Sequence, residues 1–518
     1  YLFNPKNTEF YKLTYPYTEL SYFMGAKKEQ LFRVKFNRKL FPNFAVGASI
    51  RFINSPGYYE RQKSDDKSFN LTAQYFTSNK RYGIIGTYIH NKVYVEENGG
   101  IQNDSTFEKN IEKDRKIFPI NLNDAKNELK NNTYFFNQYF NLSRRSDSTS
   151  SASKLGRITH SFTRSKETVK YIDNEPTAGF YKNVFLDTIQ TFDSVYQYKI
   201  ENSLTWSNLG YNDTALQKPV YVYFGAKHSY IELAGYMPRL TIRQISPNAG
   251  IYLRLLKNSI LFARYSYTTG DYNDGDFTGD VMVSHNFKYD SLDLGKLTFS
   301  FITTKHSPAY FYQHYESNNF MWRNDFVKIR SRILGAEYQY KRLTVSANFT
   351  SVKNYVYLNE NALPQQSTGV VNVIRGAIDY NLRFWKMGVD SKVVYQSVSD
   401  KNVLRVPPLM VNLSIYFNSK IFQDAATIQP GIDIFYNNKY YADAYMPALR
   451  SFYLQNTKEI GNYYYIDLYI MLRIRRAIIF LKYRHLNALF GNYTYYMVPH
   501  YPQQDAAFKL GISWKFFD

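Results

Sequence analysis

The sequence predicts an all-β protein: a transmembrane, antiparallel, up-and-down β-barrel of about 22 strands, within a range of about 18 to 24. Three observations lead to this prediction. Apolar and polar residues alternate with a period of two along the whole chain. Aromatic residues make up 18% of the chain, yet the mean hydropathy is -0.46. Short turns alternate with long loops, as they do in bacterial outer-membrane barrels.

The alternation is clearest near the end of the chain. In KLGISWKF (509–516), Leu510, Ile512, Trp514 and Phe516 share one face of a strand, and polar or small residues share the other. A strand of a soluble sandwich would look similar, so the alternation alone does not decide the class of fold. The same period is found in the segments 43–54, 294–302, 343–349, 411–418 and 466–474.

Composition supports the membrane barrel. Lipid-facing residues alternate with polar ones in such barrels, so the averaged hydropathy stays low even when aromatic residues are abundant; this chain has 51 Tyr and 39 Phe. A transmembrane helix needs about 18 consecutive apolar residues, and the strongest apolar run, AIIFL (477–481), is only as long as a strand. The absence of Cys excludes disulfides and thiolate metal sites.

The connections predict the organisation of one domain. An N-terminal periplasmic segment is expected at 1–16 and the barrel at 17–518, with both ends of the chain on the periplasmic side. No plug domain is expected before the first strand, and a secretory signal is expected to have been removed. Short turns are predicted at 38–43, 257–258, 340–343, 383–386 and 474–477, and large extracellular loops near 96–131, 169–194, 307–327, 442–460 and 491–504.

Three of the large loops are rich in aromatic residues, at 307–323, 445–456 and 492–502. We expect them to fold inward and constrict the pore. The alternative is that they present a platform for a sugar or a protein partner.

Basic residues outnumber acidic ones, with 64 Lys and Arg against 43 Asp and Glu and a net charge of +21. In a soluble protein this charge would suggest a nucleic-acid partner, which an outer-membrane barrel does not meet. By strand parity, a group of basic residues is predicted to line the pore and to favour anions there. This group is Arg51, Arg254, Arg264, Lys296, Arg473, Lys482, Arg484, Lys509 and Lys515.

A second basic group is predicted at the outer rim. Lys328, Arg330 and Arg332 share parity with the outward Leu334, just below a long loop. These residues would pair with the phosphates of lipopolysaccharide. For both basic groups, a solvated surface with no specific partner is the alternative.

The last strand also resembles the C-terminal signal by which bacterial outer-membrane barrels are recognised during assembly. Lys509, Gly511, Trp514 and Phe516 occupy its polar, glycine and two aromatic positions. The resemblance implies the barrel-assembly machinery as a partner during biogenesis. The chain departs from the signal in that Phe517 and Asp518 follow the last of these aromatics.

Several segments resemble the family known as putative porins of Bacteroidetes outer membranes. They are PYTELSYFMG (16–25), SPGYYERQ (55–62), ENGGI (97–101) and the closing stretch 460–517. The resemblance covers most of the chain and is weakest at 104–215. It implies an integral protein of the outer membrane.

No catalytic, cofactor or metal-binding motif is found, and we expect no enzyme activity. The predicted function is an outer-membrane channel for passive diffusion of small hydrophilic solutes, with a mildly anion-favouring lumen. One alternative is a non-conducting structural subunit of a larger secretion or barrel-assembly complex, held by other envelope proteins. A second alternative is a substrate-specific uptake channel.

Overall fold

The computed structural model describes residues 2–142, 155–210, 218–235, 239–290 and 292–517. Within these ranges, 22 long strands form one antiparallel sheet, in which each strand pairs with the next along the chain. The strands are β1 (Tyr17–Gly25), β2 (Gln30–Phe41), β3 (Phe44–Ser55), β4 (Ser64–Phe76), β5 (Tyr82–Glu97), β6 (Ala125–Asn141), β7 (Arg157–Asp173), β8 (Thr191–Ser207), β9 (Val220–Ala234), β10 (Leu240–Leu256), β11 (Ser259–Gly270), β12 (Asp276–Tyr289), β13 (Leu292–His306), β14 (Ile329–Tyr340), β15 (Leu343–Lys353), β16 (Val370–Phe384), β17 (Met387–Val398), β18 (Leu409–Phe417), β19 (Ala426–Asn437), β20 (Tyr463–Ile474), β21 (Ala477–Arg484) and β22 (Ala507–Phe517).

The first and last strands close the sheet into a barrel. β1 pairs with β22 from Tyr17 opposite Phe517 to Gly25 opposite Lys509. A closed barrel has no unpaired sheet edge, which is the condition for crossing a membrane with strands. The predicted fold class and strand count are therefore confirmed, and so are the first strand near Tyr17 and the closing strand.

Smaller elements lie in the connections. The helices α1 (Asp104–Glu108) and α2 (Tyr310–Gln313) are short, and no described helix is long and apolar enough to span a membrane. Single 3₁₀ turns are found at Pro5–Asn7, Ala26–Lys28, Arg115–Ile117 and Leu486–Phe490. Short strands pair as hairpins at His314–Glu316 with Met321–Arg323, Val356–Leu358 with Pro364–Gln366, Ala444–Met446 with Ser451–Tyr453, and Tyr496–Val498 with Tyr501–Pro502, and Ser419–Ile421 adds to β19.

The two faces of the barrel wall differ as the alternation predicts. Large apolar side chains such as Phe299, Leu334 and Ile374 are exposed on the outer face, at 55%, 53% and 56%. Their neighbours in sequence point into the lumen, and they include the polar Thr298, Ser300 and Arg375. Because hydrocarbon surrounds the outer face, each exposed apolar side chain there is solvated by lipid.

One end of the barrel carries short turns. Two-residue turns join strands at 42–43, 257–258, 341–342, 385–386 and 475–476, as predicted. Lys341, Trp385 and Arg475, the first residues of three of these turns, have φ near +50°, the left-handed region that the primed hairpin turns use to match the twist of the flanking strands. Four connections at this end are longer: 77–81, 418–425, and two that include the segments 143–154 and 211–217, which lie outside the described residues.

The large loops at the other end are shorter than predicted in two places. β6 begins at Ala125, inside the loop predicted at 96–131, and β7 and β8 extend into the loop predicted at 169–194. Each of these strands has 17 residues, whereas about 9 to 11 residues cross a bilayer. The extra length stands above the membrane, where the outer face also carries polar residues such as Lys126, Glu128 and Lys170, so the alternation of the sequence is lost.

The segment 2–16, predicted to be periplasmic, instead lies against the inner wall of the barrel. The Phe3 backbone N–H donates to the Asn91 side chain (3.0 Å), and the Asn91 amide donates back to the Phe3 carbonyl (2.9 Å). Farther along, Lys35 pairs with Glu9. Wall residues of β2 and β5 thus hold the segment inside the lumen, through polar contacts between residues far apart in sequence.

Candidate functional site: a loop cap over a charged lumen

Loops from around the barrel meet over its mouth and share a first apolar cluster. Because the cluster joins loops that start from distant strands, it bridges the opening. We call it the first cap cluster, and its buried members are Leu122, Ala125, Tyr171, Tyr181, Tyr315, Phe320, Trp322, Leu358, Ala362, Ala448 and Leu449.

A second apolar cluster lies beside the first. It joins the short loop 56–63 to the loops 98–124, 438–462 and 485–506. We call it the second cap cluster, and we call all loops contributing to either cluster the cap. The buried members of the second cluster are Tyr59, Ile101, Phe107, Phe118, Ala442, Ile460, Tyr463, Ala488, Tyr495 and Tyr496.

Aromatic rings give the first cap cluster its shape. Trp322 lies with its ring centroid 5.0 Å from that of Tyr315 and 5.3 Å from that of Phe311. The Trp322 indole N–H donates to the Phe311 carbonyl at 2.7 Å, so its one polar atom is satisfied inside the cluster. Trp322 and Tyr315 are 7% and 2% exposed, and their removal would leave a large cavity.

Polar contacts link cap loops that are far apart in sequence. The Asn318 amide donates to the Asp187 carbonyl (2.8 Å) and to the Thr191 hydroxyl (2.7 Å), and its oxygen accepts from the Asp187 N–H (2.8 Å). The Asn318 N–H donates to Asp193 at 2.9 Å. One buried side chain in the loop 307–328 thus fixes the loop 174–190.

Two ion-pair groups join the loop 98–124 to other parts of the cap. Arg115 pairs with Asp505 at 2.9 Å. Lys458 lies 2.7 Å from both Asp104 and Glu108. Burial would raise the pKa of Asp104, but the contacts from His500 and Lys458 outweigh it and hold that pKa below its usual value. The ionised carboxylate is therefore the form that the cap stabilises.

A buried histidine lies where the second cap cluster meets the lumen. The two ring nitrogens of His485 lie 2.8 Å from the Gln504 carbonyl and 2.8 Å from the Tyr463 hydroxyl. Burial lowers the pKa of His485, although the bond to the Gln504 carbonyl acts in the opposite direction. A neutral imidazole satisfies both contacts, donating to the carbonyl and accepting from the hydroxyl.

The aromatic loops pack into the cap, and the prediction that they constrict the pore stays a prediction. Residues of 307–323, 445–456 and 492–502 all enter the cap clusters, and the loop 98–124 contributes four buried members, more than any one of these three segments. The sequence indicated the aromatic loops through their composition. It gave no signal for Asn318, Arg115 or Asp104, because their partners lie more than 100 residues away.

Strand register places every member of the predicted pore-lining group on the inner face of the wall. Four of them have acidic partners there. Lys482 lies 2.9 Å from both Asp433 and Asp467, and Arg484 is 3.7 Å from Asp467. Arg264 pairs with Asp280, and Lys509 lies 2.7 Å from Glu29. These carboxylates offset part of the positive charge from which an anion-favouring lumen was predicted.

The rest of the group is spread over the inner wall. Arg51 lies over the ring of Phe3, with its guanidinium carbon 5.0 Å from the centroid. The structure does not gather the remaining members into a ring. They lie on different strands, with Arg254 on β10, Lys296 on β13, Arg473 on β20 and Lys515 on β22.

A cavity of about 570 Å³ lies on the inner wall beneath the cap. Its lining includes Asp379, Asp390, Asp433 and Asp467, together with Lys392, Lys482 and Arg484. His485, Gln503 and Gln504 complete it from the cap. The cavity therefore offers both carboxylates and cations to a polar solute.

Of the predicted rim residues, Lys328 does not face the lipid. Its ammonium group lies 2.6 Å from Asp276 and donates to the Ser307 hydroxyl (3.0 Å), which ties together two loop ends. Arg330 and Arg332 are exposed and share the outward parity of Leu334, as predicted.

The predicted assembly signal lies at the seam of the barrel. Lys509 and Gly511 of β22 face the lumen. Trp514 and Phe516 face outward and stack on each other, with ring centroids 4.6 Å apart. Their recognition by the assembly machinery stays a prediction.

The closed wall, the apolar outer face, the short turns at one end and the loops at the other define an integral β-barrel of the outer membrane. The family model described as "Putative porin" matches residues 1–518, and the chain belongs to this family. The predicted membership of a putative porin family and the predicted location in the outer membrane are thereby confirmed, and the Bacteroidetes origin stays a prediction. No curated protein sequence matches the chain.

Solved structures share the fold. A variant of the ferric enterobactin receptor of Pseudomonas aeruginosa is 12% identical, with a TM-score of 0.67 over 97% of this chain and 80% of that one. The FrpB iron transporter of Neisseria meningitidis is 9% identical, with a TM-score of 0.65 over 98% and 82%. The copper transporter OprC is 9% identical, with a TM-score of 0.67 over 97% and 80%. Family and fold together indicate outer-membrane transport.

Proposed function

We propose that the protein is a selective uptake channel whose external mouth opens only when the cap rearranges. The observation that carries this proposal is the cap itself, in which loops from distant strands share two apolar clusters. A barrel of 22 strands is wide enough to need an obstruction, and buried aromatic contacts give the cap a defined closed state.

The cavity beneath the cap bears on the kind of solute. Carboxylates from four aspartates lie beside Lys392, Lys482 and Arg484. Such a lining suits a small polar solute that carries charge of both signs or many hydroxyl groups, rather than a simple anion. The solved structures of similar fold include proteins described as iron and copper transporters, which is consistent with uptake of a specific cargo.

Passive diffusion of small hydrophilic solutes is the second candidate. It is favoured by a cavity of about 540 Å³ on the wall formed by β12 to β17, whose lining residues all belong to barrel strands. Ser300, Ser346, Asn348 and Arg375 face this cavity. None of its lining residues belongs to the cap, and a polar wall of this kind would serve a diffusion pathway.

An engineered disulfide that holds the cap closed would distinguish gated uptake from passive diffusion. The chain has no Cys, so a single engineered pair can be studied alone. The Ile101 N–H donates to the His500 carbonyl at 2.9 Å, which brings the loops 98–124 and 485–506 close enough for a disulfide between Ile101→Cys and His500→Cys. The measurement is conductance in planar bilayers under oxidising and then reducing conditions.

A selective channel should open rarely, lose these openings when the disulfide forms and regain them on reduction. The two single-cysteine variants are the matched controls and should not respond to reduction. Equal, steady conductance in the locked and unlocked states would contradict gating by the cap and favour passive diffusion. A folded barrel that never conducts, even when reduced, would favour the structural subunit.

A further inference from the structure

A cluster of basic side chains lies on the outer face of the barrel at its loop end. Lys305 of β13 is paired directly with Arg330 of β14, and Arg330 is paired with Lys353 of β15. Arg332 lies two residues below Arg330 on the same face. We call these four residues the rim cluster; Lys305 is half-buried and the other three are exposed.

The register fixes the height of the rim cluster relative to the lipid. Two residues below Arg332, the outward row across the same strands is Phe301, Leu334 and Phe349. These are 38%, 53% and 41% exposed, so the hydrocarbon band reaches them. Strands rise about 3.3 Å per residue, which puts Arg332 and Arg330 in the headgroup layer just above the acyl chains.

Like charges oppose each other across the strands of the rim cluster. A cation directly opposite another cation destabilises a sheet pair, and here Arg330 has one on each side. Among the residues that the structure describes, no carboxylate forms an ion pair with any of the four, whereas the nearby Lys328 has Asp276. The arrangement is therefore suited to an anion from outside the chain.

The neighbours of Arg332 leave room for such an anion. Arg332 is paired with Thr303 on one side and with Ser351 on the other. Both are small and carry a hydroxyl group that can donate a hydrogen bond. A guanidinium flanked by hydroxyls, with an ammonium one row above, matches the oxygens of a phosphate group.

We propose that the rim cluster binds a phosphate group of an outer-leaflet lipid, the phosphorylated glycolipid of lipopolysaccharide. The rim cluster faces outward at the top of the hydrocarbon band. A lipid phosphate fits this position, because a bound lipid can keep its acyl chains on Phe301, Leu334 and Phe349. Arg332 makes the bidentate contact, and Lys305, Arg330 and Lys353 supply the surrounding charge.

The test compares two variants that remove equal charge from the same hairpin. Arg330→Gln with Arg332→Gln alters the rim cluster, and Lys341→Gln with Arg342→Gln alters the turn at the opposite end of β14 and β15. The purified detergent-solubilised barrels are titrated with bisphosphorylated lipid A, with dephosphorylated lipid A and with inorganic phosphate, and bound lipid is measured by native mass spectrometry.

We expect the rim variant to bind bisphosphorylated lipid A at least tenfold more weakly than the natural protein, and the turn variant to bind it equally well. Arg332→Lys, which keeps the charge and loses the planar fork, should fall between them. Equal binding by both double variants would overturn the site. Equal binding of dephosphorylated lipid A, or full competition by inorganic phosphate at the same concentration, would overturn the lipid phosphate as the ligand.

Discussion

The two ends of the barrel are built on different physical principles. At the turn end, many neighbouring strands are joined by two-residue turns, and each such turn is determined by its own few residues. At the loop end, Phe320, Asn318 and Arg115 depend on partners in other loops. The wall is therefore specified by residues that are close together in the sequence, whereas closure of the mouth is specified by contacts between distant parts of the chain.

This difference explains what the sequence could predict. Strand alternation and the short turns were readable from adjacent residues, and the aromatic loops were readable from composition. The lumenal position of 2–16 was not, because Phe3 and Asn91 are 88 residues apart and neither residue is unusual in its own segment. The ion pairs of Lys482 were likewise hidden, because strand parity gives the face of a residue but not its neighbours across the sheet.

The largest effect on the cap, with none on the wall, is expected from truncating buried aromatic side chains of the first cap cluster. Trp322→Ala with Tyr315→Ala should destabilise the cap by several kcal/mol, since each large-to-small change at a buried aromatic site costs about 3 to 5 kcal/mol. The barrel wall should persist, because its strands do not depend on these rings. We expect long-lived open states in planar bilayers and rapid protease cleavage within 307–328, with heat-modifiable migration of the barrel unchanged.

A smaller effect is expected from the link between the loops 98–124 and 485–506. Arg115→Met removes the charge and keeps much of the side-chain length, leaving Asp505 with the Tyr495 hydroxyl but without its cation. The loss should be about 2 kcal/mol, as for a hydrogen bond between charged groups. Hydrogen exchange in 98–124 should quicken while exchange in 307–328 stays the same. Equal acceleration in both loops would show that the cap opens as one unit.

Acidification should loosen the second cap cluster. The pKa of His485 is lowered in the folded protein, so its contribution to stability is complete above the unfolded value of about 6.5 and declines as the pH falls below that value. Protease cleavage within 485–506 should therefore increase between about pH 6.5 and 5. His485→Gln should be cleaved at a rate that does not vary over this interval. An unchanged pH dependence in that variant would assign the effect to another group.

The smallest effect is expected at the turn end. Lys341→Asn places a residue that tolerates positive φ at a turn position with φ of 50°, so the free energy of unfolding should change by no more than about 0.5 kcal/mol. Neither conductance nor loop cleavage should respond. A change in gating from this turn would show that the two ends are coupled through the wall.

The position of the segment 2–16 has a practical consequence for labelling the protein. Because Phe3 is bonded to Asn91 inside the barrel, an affinity tag or fluorophore attached ahead of it would begin within the lumen and compete with whatever passes through. A reporter for imaging or pull-down is better placed at an exposed position of the cap such as Met497, which is 66% exposed. A probe deliberately attached beside Phe3 would instead report on occupancy of the interior.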